Sequence, residues 1–113
     1  MPFINLKTNV SVPAAKEERL KTSFGQAITA IPGKTEQWLM VGLEPEYTLY
    51  FQGNDEPCAM VEVSIFGKAH PSSYEALTKE ICSIIEAELS IPPSRTYVKY
   101  SEINHWGWNN QNF

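Results

Sequence analysis

The chain has 113 residues, of which 42% are hydrophobic and 19% charged, and its net charge is -4. This length predicts a single domain, residues 1–113, with its own hydrophobic core. No block of Lys and Arg suits a phosphate backbone and no run nears the ~20 apolar residues that span a bilayer, so neither nucleic acid nor membrane is an expected partner.

The first half of the chain predicts a strand, a helix and a second strand. Alternation of apolar and polar residues favours a strand over residues 3–10. After Pro13, apolar residues at helical spacing predict a helix that ends at Pro32 and Gly33. Residues 37–43 predict the second strand, and residues 47–51 a short hairpin arm.

The second half repeats this layout. The apolar run over residues 59–66 predicts a buried strand. Ser72 and Glu75 have the spacing of a capping box, and the apolar stripe that follows predicts a helix ending before Pro92. Residues 96–100 return as a strand.

Two similar β-α-β units predict an α/β (α+β) fold with one four-stranded sheet and two helices on one face. The units span about residues 2–50 and 58–101, and residues 102–113 form a C-terminal tail. We expect the other sheet face to expose residues such as Leu6, Val41 and Val63. A bare apolar face of this size indicates oligomerisation, as a dimer or a trimer.

The cysteines and histidines give no sign of a metal or cofactor site. Cys58 and Cys82 are the two cysteines, lie outside any CxxC pattern, and are expected to be reduced core thiols. His70 and His105 have no ligand-type residues at metal-binding spacing. No cofactor is therefore expected.

Three features indicate chemistry. Removal of Met1 before the small Pro2 would leave a secondary amine, and burial or a nearby cation would lower its pKa from about 7.7–8.0 towards neutrality. Lys34 follows the first helix and suits an anionic substrate. The tail from Trp106 to Phe113 is rich in aromatic and amide side chains, which suits an aromatic ligand or a subunit interface.

Several short segments carry a resemblance to a known family in their order and spacing. They are Met1-Pro2 with Thr8-Asn9, Gly33-Lys34, residues 55–59 (DEPCA), Gly67-Lys68, Arg95-x-Tyr97, residues 107–110 (GWNN) and Phe113. Together they resemble the macrophage migration inhibitory factor family of the tautomerase superfamily. The resemblance implies a homotrimer with an active site at each subunit boundary and tautomerisation of phenylpyruvate or dopachrome, small aromatic substrates.

The resemblance also implies roles for individual residues. Pro2 would be the acid and base, and Lys34 would bind the substrate carboxylate and keep Pro2 neutral. Ile65 and Phe66 would belong to the substrate-binding site, and the backbone N–H of Phe66 would bind the substrate. Tyr97 would come from the neighbouring subunit, and Trp38 and Trp108 would form the rim.

Departures from the family pattern leave the substrate open. Lys99 stands where the family often has a substrate-contacting asparagine, Trp106 replaces a smaller wall residue, and Ile65 replaces a serine. Decarboxylation of dopachrome and hydrolytic dehalogenation are related reactions of the same amine. A cytokine-like binding function with a cell-surface receptor is the other alternative. The expected location is cytosolic, because the start of the chain does not resemble a signal peptide. Unconventional release is also open, since the family is known for it.

Overall fold

The computed structural model describes residues 1–113 and contains six strands and two α-helices. In chain order these are β1 (Pro2–Thr8), α1 (Ala14–Ala27), β2 (Met40–Glu44), β3 (Ala59–Phe66), α2 (Pro71–Leu89), β4 (Thr96–Ile103), β5 (Gly107–Trp108) and β6 (Gln111–Asn112). Single turns of 3-10 helix lie at Ile28–Ala30, Glu36–Trp38 and Pro93–Arg95. None of the helices has the length and apolar character to cross a membrane.

The main sheet has the strand order β2-β1-β3-β4. Each β-α-β unit contributes a parallel pair, β1 with β2 and β3 with β4, and the units join through the antiparallel pair β1 and β3. In that central pair Pro2 lies opposite Ile65 and Thr8 lies opposite Ala59. The predicted duplicated β-α-β architecture is confirmed.

The core lies between the sheet and the two helices. Strand β1 alternates buried and half-buried residues along its whole length, as does β3, so each strand turns one set of side chains towards the helices. From the helices, Leu20 and Phe24 of α1 and Leu77, Ile81 and Ile85 of α2 are fully buried. Burial of this apolar surface, at about 25 cal/mol per Å², is the main stabilising contribution to the fold.

The helix-free face of the sheet differs from the sequence-based expectation. Leu6 and Val63 are fully buried under the helices, and Val41, opposite Ile4, shares that face. The prediction that these residues form a bare apolar face was wrong, because burial favours placing the more apolar alternate set of each strand beneath the helices. The helix-free face instead carries a polar strip.

Charged side chains form the middle of that strip. Glu62 Oε1 lies 3.0 Å from Lys7 Nζ, and Glu62 Oε2 lies 3.2 Å from Lys99 Nζ. Both interactions hold the pKa of the Glu62 carboxyl below its ordinary value, with the hydrogen bond from Lys7 as the largest cause. Because this region is polar, its exposure does not indicate oligomerisation.

Three element boundaries also differ from expectation. Residues 36–38 form a 3-10 turn rather than the start of β2, and the predicted hairpin arm at 47–51 reduces to a bridge between Phe51 and Asn54. Helix α2 begins at Pro71 and is capped by His70, whose side chain accepts a hydrogen bond from the Ser72 N–H. Proline suits the first position of a helix, so α2 begins before the predicted capping box.

Candidate active site

The start of β1 is held inside the protein rather than at its surface. Pro2 is buried, and its backbone pairs with that of Ile65 in β3. The ladder continues one residue further, because the Phe66 N–H donates to the Met1 carbonyl oxygen at 3.0 Å. The sheet thus fixes the position of the N-terminal residues.

Lys34 reaches the same region from the other half of the first β-α-β unit. Gly33, with φ of +82°, turns the chain after α1, and the Lys34 N–H donates to the Ile31 carbonyl at 3.1 Å. The half-buried side chain of Lys34 then extends to β3, where Nζ donates to the Phe66 carbonyl at 3.1 Å. Phe66 therefore contacts Met1 through its N–H and Lys34 through its carbonyl.

The electrostatic environment at the N-terminus favours a neutral amine. The pKa of the Met1 amino group is lowered from its ordinary value of 8.0, first by burial and then by the charge of Lys34 and a hydrogen bond with it. Loss of hydration and a neighbouring cation both disfavour an ammonium ion. A base that is unprotonated near neutral pH is suited to proton transfer.

A cavity of about 650 Å³ opens at the N-terminus. Pro2 lines it together with three tryptophans, Trp38, Trp106 and Trp108. The remaining lining residues are Met1, Phe3, Gln37, Leu39, Met40, Ser64, Ile103 and Gly107. Its volume lies in the range that binds small organic ligands, and its largely apolar wall suits an aromatic ring.

The aromatic side of the cavity is built by the C-terminal tail. Strands β5 and β6 form a two-stranded hairpin, and Asn109 and Asn110 at its turn have φ of 53° and 68°. This left-handed conformation is one that asparagine tolerates and a two-residue hairpin turn requires. The hairpin places Trp108 edge-to-face against Trp38, with the ring centroids 5.1 Å apart.

Phe113 anchors the end of the tail. Its N–H donates to the Trp106 carbonyl at 3.1 Å. Its ring stacks on Trp108 with centroids 6.3 Å apart and leans on Phe66 at 5.5 Å. The tail is thereby connected to Phe66, the residue whose backbone contacts Met1 and Lys34.

Two predicted site residues lie far from Pro2 in the same chain. Tyr97 pairs with Met60, five residues along β3 from the partner of Pro2, which corresponds to roughly 17 Å. Its side chain is 58% exposed and packs edge-to-face on Phe51 at 5.0 Å. Lys99 is bound to Glu62 on the helix-free face. One chain therefore does not bring Tyr97 and Lys99 to the cavity.

The Ile65 side chain also lies elsewhere than expected. It is 1% exposed and belongs to the core cluster beneath the helices. The alternation of β3 turns Ser64 to the helix-free face, where it lines the cavity. Ile65 thus contributes backbone pairing and core packing, and Ser64, the residue before it, lines the cavity.

Sequence reasoning missed six further wall residues: Phe3, Gln37, Leu39, Met40, Ser64 and Ile103. No local pattern marks them, because each is brought to the cavity by strand pairing or by the 3-10 turn. The pairing of Phe3 with both Met40 and Ser64 is the one signal that points to two of them. These pairings can be read only when the register of the strands is known.

Comparison with known proteins agrees with this geometry. The family model described as "Macrophage migration inhibitory factor (MIF)" matches residues 1–112. The macrophage migration inhibitory factor of Meriones unguiculatus is 30% identical over 118 residues, covering 100% of this chain and 99% of that protein. The mouse D-dopachrome decarboxylase is 29% identical over 117 residues, covering 94% of this chain and 90% of that protein.

Solved structures show the same relationship. The crystal structure of Leishmania major MIF2 superposes with a TM-score of 0.94 at 34% sequence identity, covering 100% of this chain and 97% of that one. The buried Pro2, the nearby Lys34 and the fold thus occur together in a chain that the family model matches over residues 1–112. The chain belongs to the macrophage migration inhibitory factor family.

Proposed function

We propose that this protein is a keto-enol tautomerase of phenylpyruvate, a small aromatic 2-oxo acid, and of dopachrome-like compounds, with the Pro2 amine as its acid and base. One observation carries the proposal. Pro2 is buried, the Met1 amino group before it lies beside Lys34, and both residues line a cavity walled by tryptophans.

Removal of Met1 supplies two functional groups at once. It converts the Pro2 nitrogen from an amide into a secondary amine, which is a base. It also releases the Phe66 N–H, which in the present structure donates to the Met1 carbonyl. The freed N–H would then bind a substrate oxygen where the Met1 oxygen now lies.

The proposed reaction is a proton shift with no net redox change. The neutral Pro2 amine removes a proton from the carbon next to the substrate carbonyl. The electron pair of the broken C–H bond forms the enolate double bond, and negative charge accumulates on the carbonyl oxygen. The protonated amine then returns the proton to that oxygen, which gives the enol and restores the base.

Lys34 would serve this reaction in two ways. Its charge lowers the pKa of the terminal amine in the present structure, so it would keep Pro2 unprotonated. It would also bind the substrate carboxylate and stabilise the enolate. A preorganised cation of this kind typically contributes about 3 kcal/mol to transition-state stabilisation.

The proposed assembly is a homotrimer in which each site takes residues from two chains. Tyr97 lies at the opposite end of the sheet from Pro2 and is largely exposed, as is Tyr50 at 66%. Met40, at the Pro2 end, is 69% exposed and lines the cavity. Packing of one end on the other would cover these side chains and bring Tyr97 and Lys99 to the neighbouring cavity.

Decarboxylation of a dopachrome-like substrate is the second candidate. The mouse D-dopachrome decarboxylase, at 29% identity, is the observation that favours it. The bond broken would be that to the carboxyl carbon, and its electron pair would pass into the quinone-type ring as CO₂ leaves. The same amine, in its protonated form, would then supply the proton to a ring oxygen. Analysis of the product from a dopachrome substrate separates the two reactions, because decarboxylation releases CO₂ and tautomerisation does not.

The proposal is tested by changing the amine itself. Pro2→Gly replaces the rigid secondary amine, and insertion of one Ala between Met1 and Pro2 turns the Pro2 nitrogen back into an amide. We expect both changes to lower enolisation of phenylpyruvate by on the order of 10²-fold or more, the usual contribution of a general base. Pro93→Ala, at an exposed proline far from the cavity, is the matched control. Unchanged turnover in both N-terminal variants would contradict the proposal.

A further inference from the structure

Helix α1 contains a glycine, Gly25, at a position where alanine would stabilise the helix more. Gly25 is buried and lies in the last turn of α1 (Ala14–Ala27), two residues before the helix ends. A glycine inside a helix costs about 1 kcal/mol relative to alanine, so its presence indicates a close contact that a larger residue would prevent.

That contact is made by Glu36. A Cβ atom placed on Gly25 would lie 2.2 Å from Glu36 Oε2, 2.4 Å from Glu36 Cδ and 2.8 Å from Glu36 Cγ. The carboxyl end of the Glu36 side chain therefore packs against the backbone of Gly25, in the space that a Cβ atom would occupy. Because glycine has no Cβ atom, Gly25 leaves this space free for the Glu36 side chain.

Glu36 also begins the 3-10 turn that carries Trp38. The Glu36 carbonyl accepts the Leu39 N–H at 3.1 Å, and the Thr35 carbonyl accepts the Trp38 N–H at 3.2 Å. Trp38 leaves this turn to contact Trp108, with centroids 5.1 Å apart, and to line the cavity. The position of the turn thus determines one side of the cavity.

We propose that Glu36, seated on Gly25, is a positioning residue that fixes the Glu36–Trp38 turn against α1 and so holds Trp38 at the cavity. The pKa of Lys21 on the same helix is raised first by the hydrogen bond and charge of Glu18, and to a smaller extent by the charge of Glu36, which agrees with this placement. The part of the proposal in which Trp38 contributes to substrate binding rests on the proposed function. The part in which Glu36 positions Trp38 is independent of that function.

The contact is tested by a double-mutant cycle on unfolding by denaturant. Gly25→Ala should raise the unfolding midpoint less in the wild-type background than in the Glu36→Ala background, because in the wild type the added methyl group must displace Glu36. An equal change of the midpoint in the two backgrounds would overturn the contact.

The positioning role is tested in the ligand-free protein by circular dichroism. Two edge-to-face indoles give an exciton couplet, and Trp38→Phe defines its complete loss for the Trp38–Trp108 pair. Glu36→Ala should remove at least half of that amplitude, Glu36→Gln should retain it, and Gln26→Ala on the same helix is the control. A couplet unchanged in Glu36→Ala would overturn the proposal.

Kinetics then connect Trp38 with the substrate. Glu36→Ala should raise KM for phenylpyruvate by roughly five-fold and change kcat by less than about two-fold, because a misplaced wall weakens ground-state and transition-state binding alike. A fall in kcat at constant KM would count against the positioning role. Absence of turnover in the wild-type protein would count against the proposed function and leave the dichroism result to decide the proposal on Glu36.

Discussion

Lys34 and Phe66 are joined by a hydrogen bond from Nζ to the backbone carbonyl, 3.1 Å long, across two halves of the chain. The bond brings a cation from the loop after α1 to the end of β3. The N–H of the same Phe66 donates to Met1. One peptide segment of β3 therefore fixes both the terminal residue and the charge that lowers the pKa of its amine.

Replacement of Lys34 should alter both the rate and its pH dependence. Lys34→Ala should lower kcat/KM for phenylpyruvate by about 10²–10³-fold, because a cation at the developing enolate is lost. Lys34 lowers the pKa of the Met1 amino group, and the proposed Pro2 amine, which acts when unprotonated, would lie next to the same charge, so removal of Lys34 should raise the pKa of that amine. The acidic limb of the pH profile of kcat/KM should then move to higher pH. Lys68→Ala, at an exposed lysine, should leave the limb in place, and an unmoved limb in Lys34→Ala would refute the electrostatic role.

Exchange of subunits tests the shared site. Pro2→Gly and Tyr97→Ala should each be weakly active alone. After co-expression, about a quarter of the sites in random oligomers should combine an intact Pro2 with an intact Tyr97 from the neighbour, and activity should recover accordingly. Pro2→Gly with Lys34→Ala is the control, because both residues belong to one chain and no mixed oligomer restores a complete site. Equal recovery in the two mixtures would argue against a contribution from the neighbour.

Asn9 should be important for stability rather than for catalysis. Its Nδ2 donates to the carbonyls of Leu49, Asp55 and Glu56 at 3.3, 3.0 and 3.1 Å, and its Oδ1 accepts the Cys58 N–H at 3.0 Å. Asn9→Ala leaves these groups without their partner and should cost about 2 kcal/mol in the free energy of unfolding. Denaturant titration measures this, with Asn104→Ala as the exposed control. A cost equal to that of the control would show that the segment is held by other contacts.

The ion pairs of Glu62 should make a small contribution that depends on pH. The pKa of Glu62 is lowered from 4.5 in the folded chain, so its contribution is present above the unfolded pKa and is lost as pH falls through the folded one. Glu62→Gln should lower the free energy of unfolding by about 0.5–1 kcal/mol at neutral pH, since the pairs are partly exposed. The difference between the two proteins should shrink below pH 4.5. A difference that does not vary with pH would point to packing instead.

Much of the fold follows from local patterns. The strand β3 and both helices are delimited by prolines, glycines and apolar periodicity, and the repeated layout predicts one sheet with helices on one face. The composition of the helix-free face was predicted wrongly. Alternation separates two sets of residues in each strand, and the helices take the more apolar set, which includes Leu6 and Val63.

The candidate site was predicted in part. Pro2, Trp38, Trp106 and Trp108 were identified as site residues and do line one cavity. Ser64 and Met40 carry no local signal, since the pairing register alone brings them there. The contact between Glu36 and Gly25 could not be predicted from local sequence patterns either, because a helix and a distant turn meet only in the folded chain.

The most direct test of the central claim is the intact mass of the protein before and after reaction with an electrophilic 2-oxo acid such as 3-bromopyruvate. We expect the untreated protein to lack Met1, and the treated protein to gain one adduct per chain, mapped by peptide sequencing to the Pro2 nitrogen, as enolisation is lost. Retention of Met1 in fully active protein, or loss of activity with the adduct elsewhere and Pro2 unmodified, would contradict Pro2 as the base.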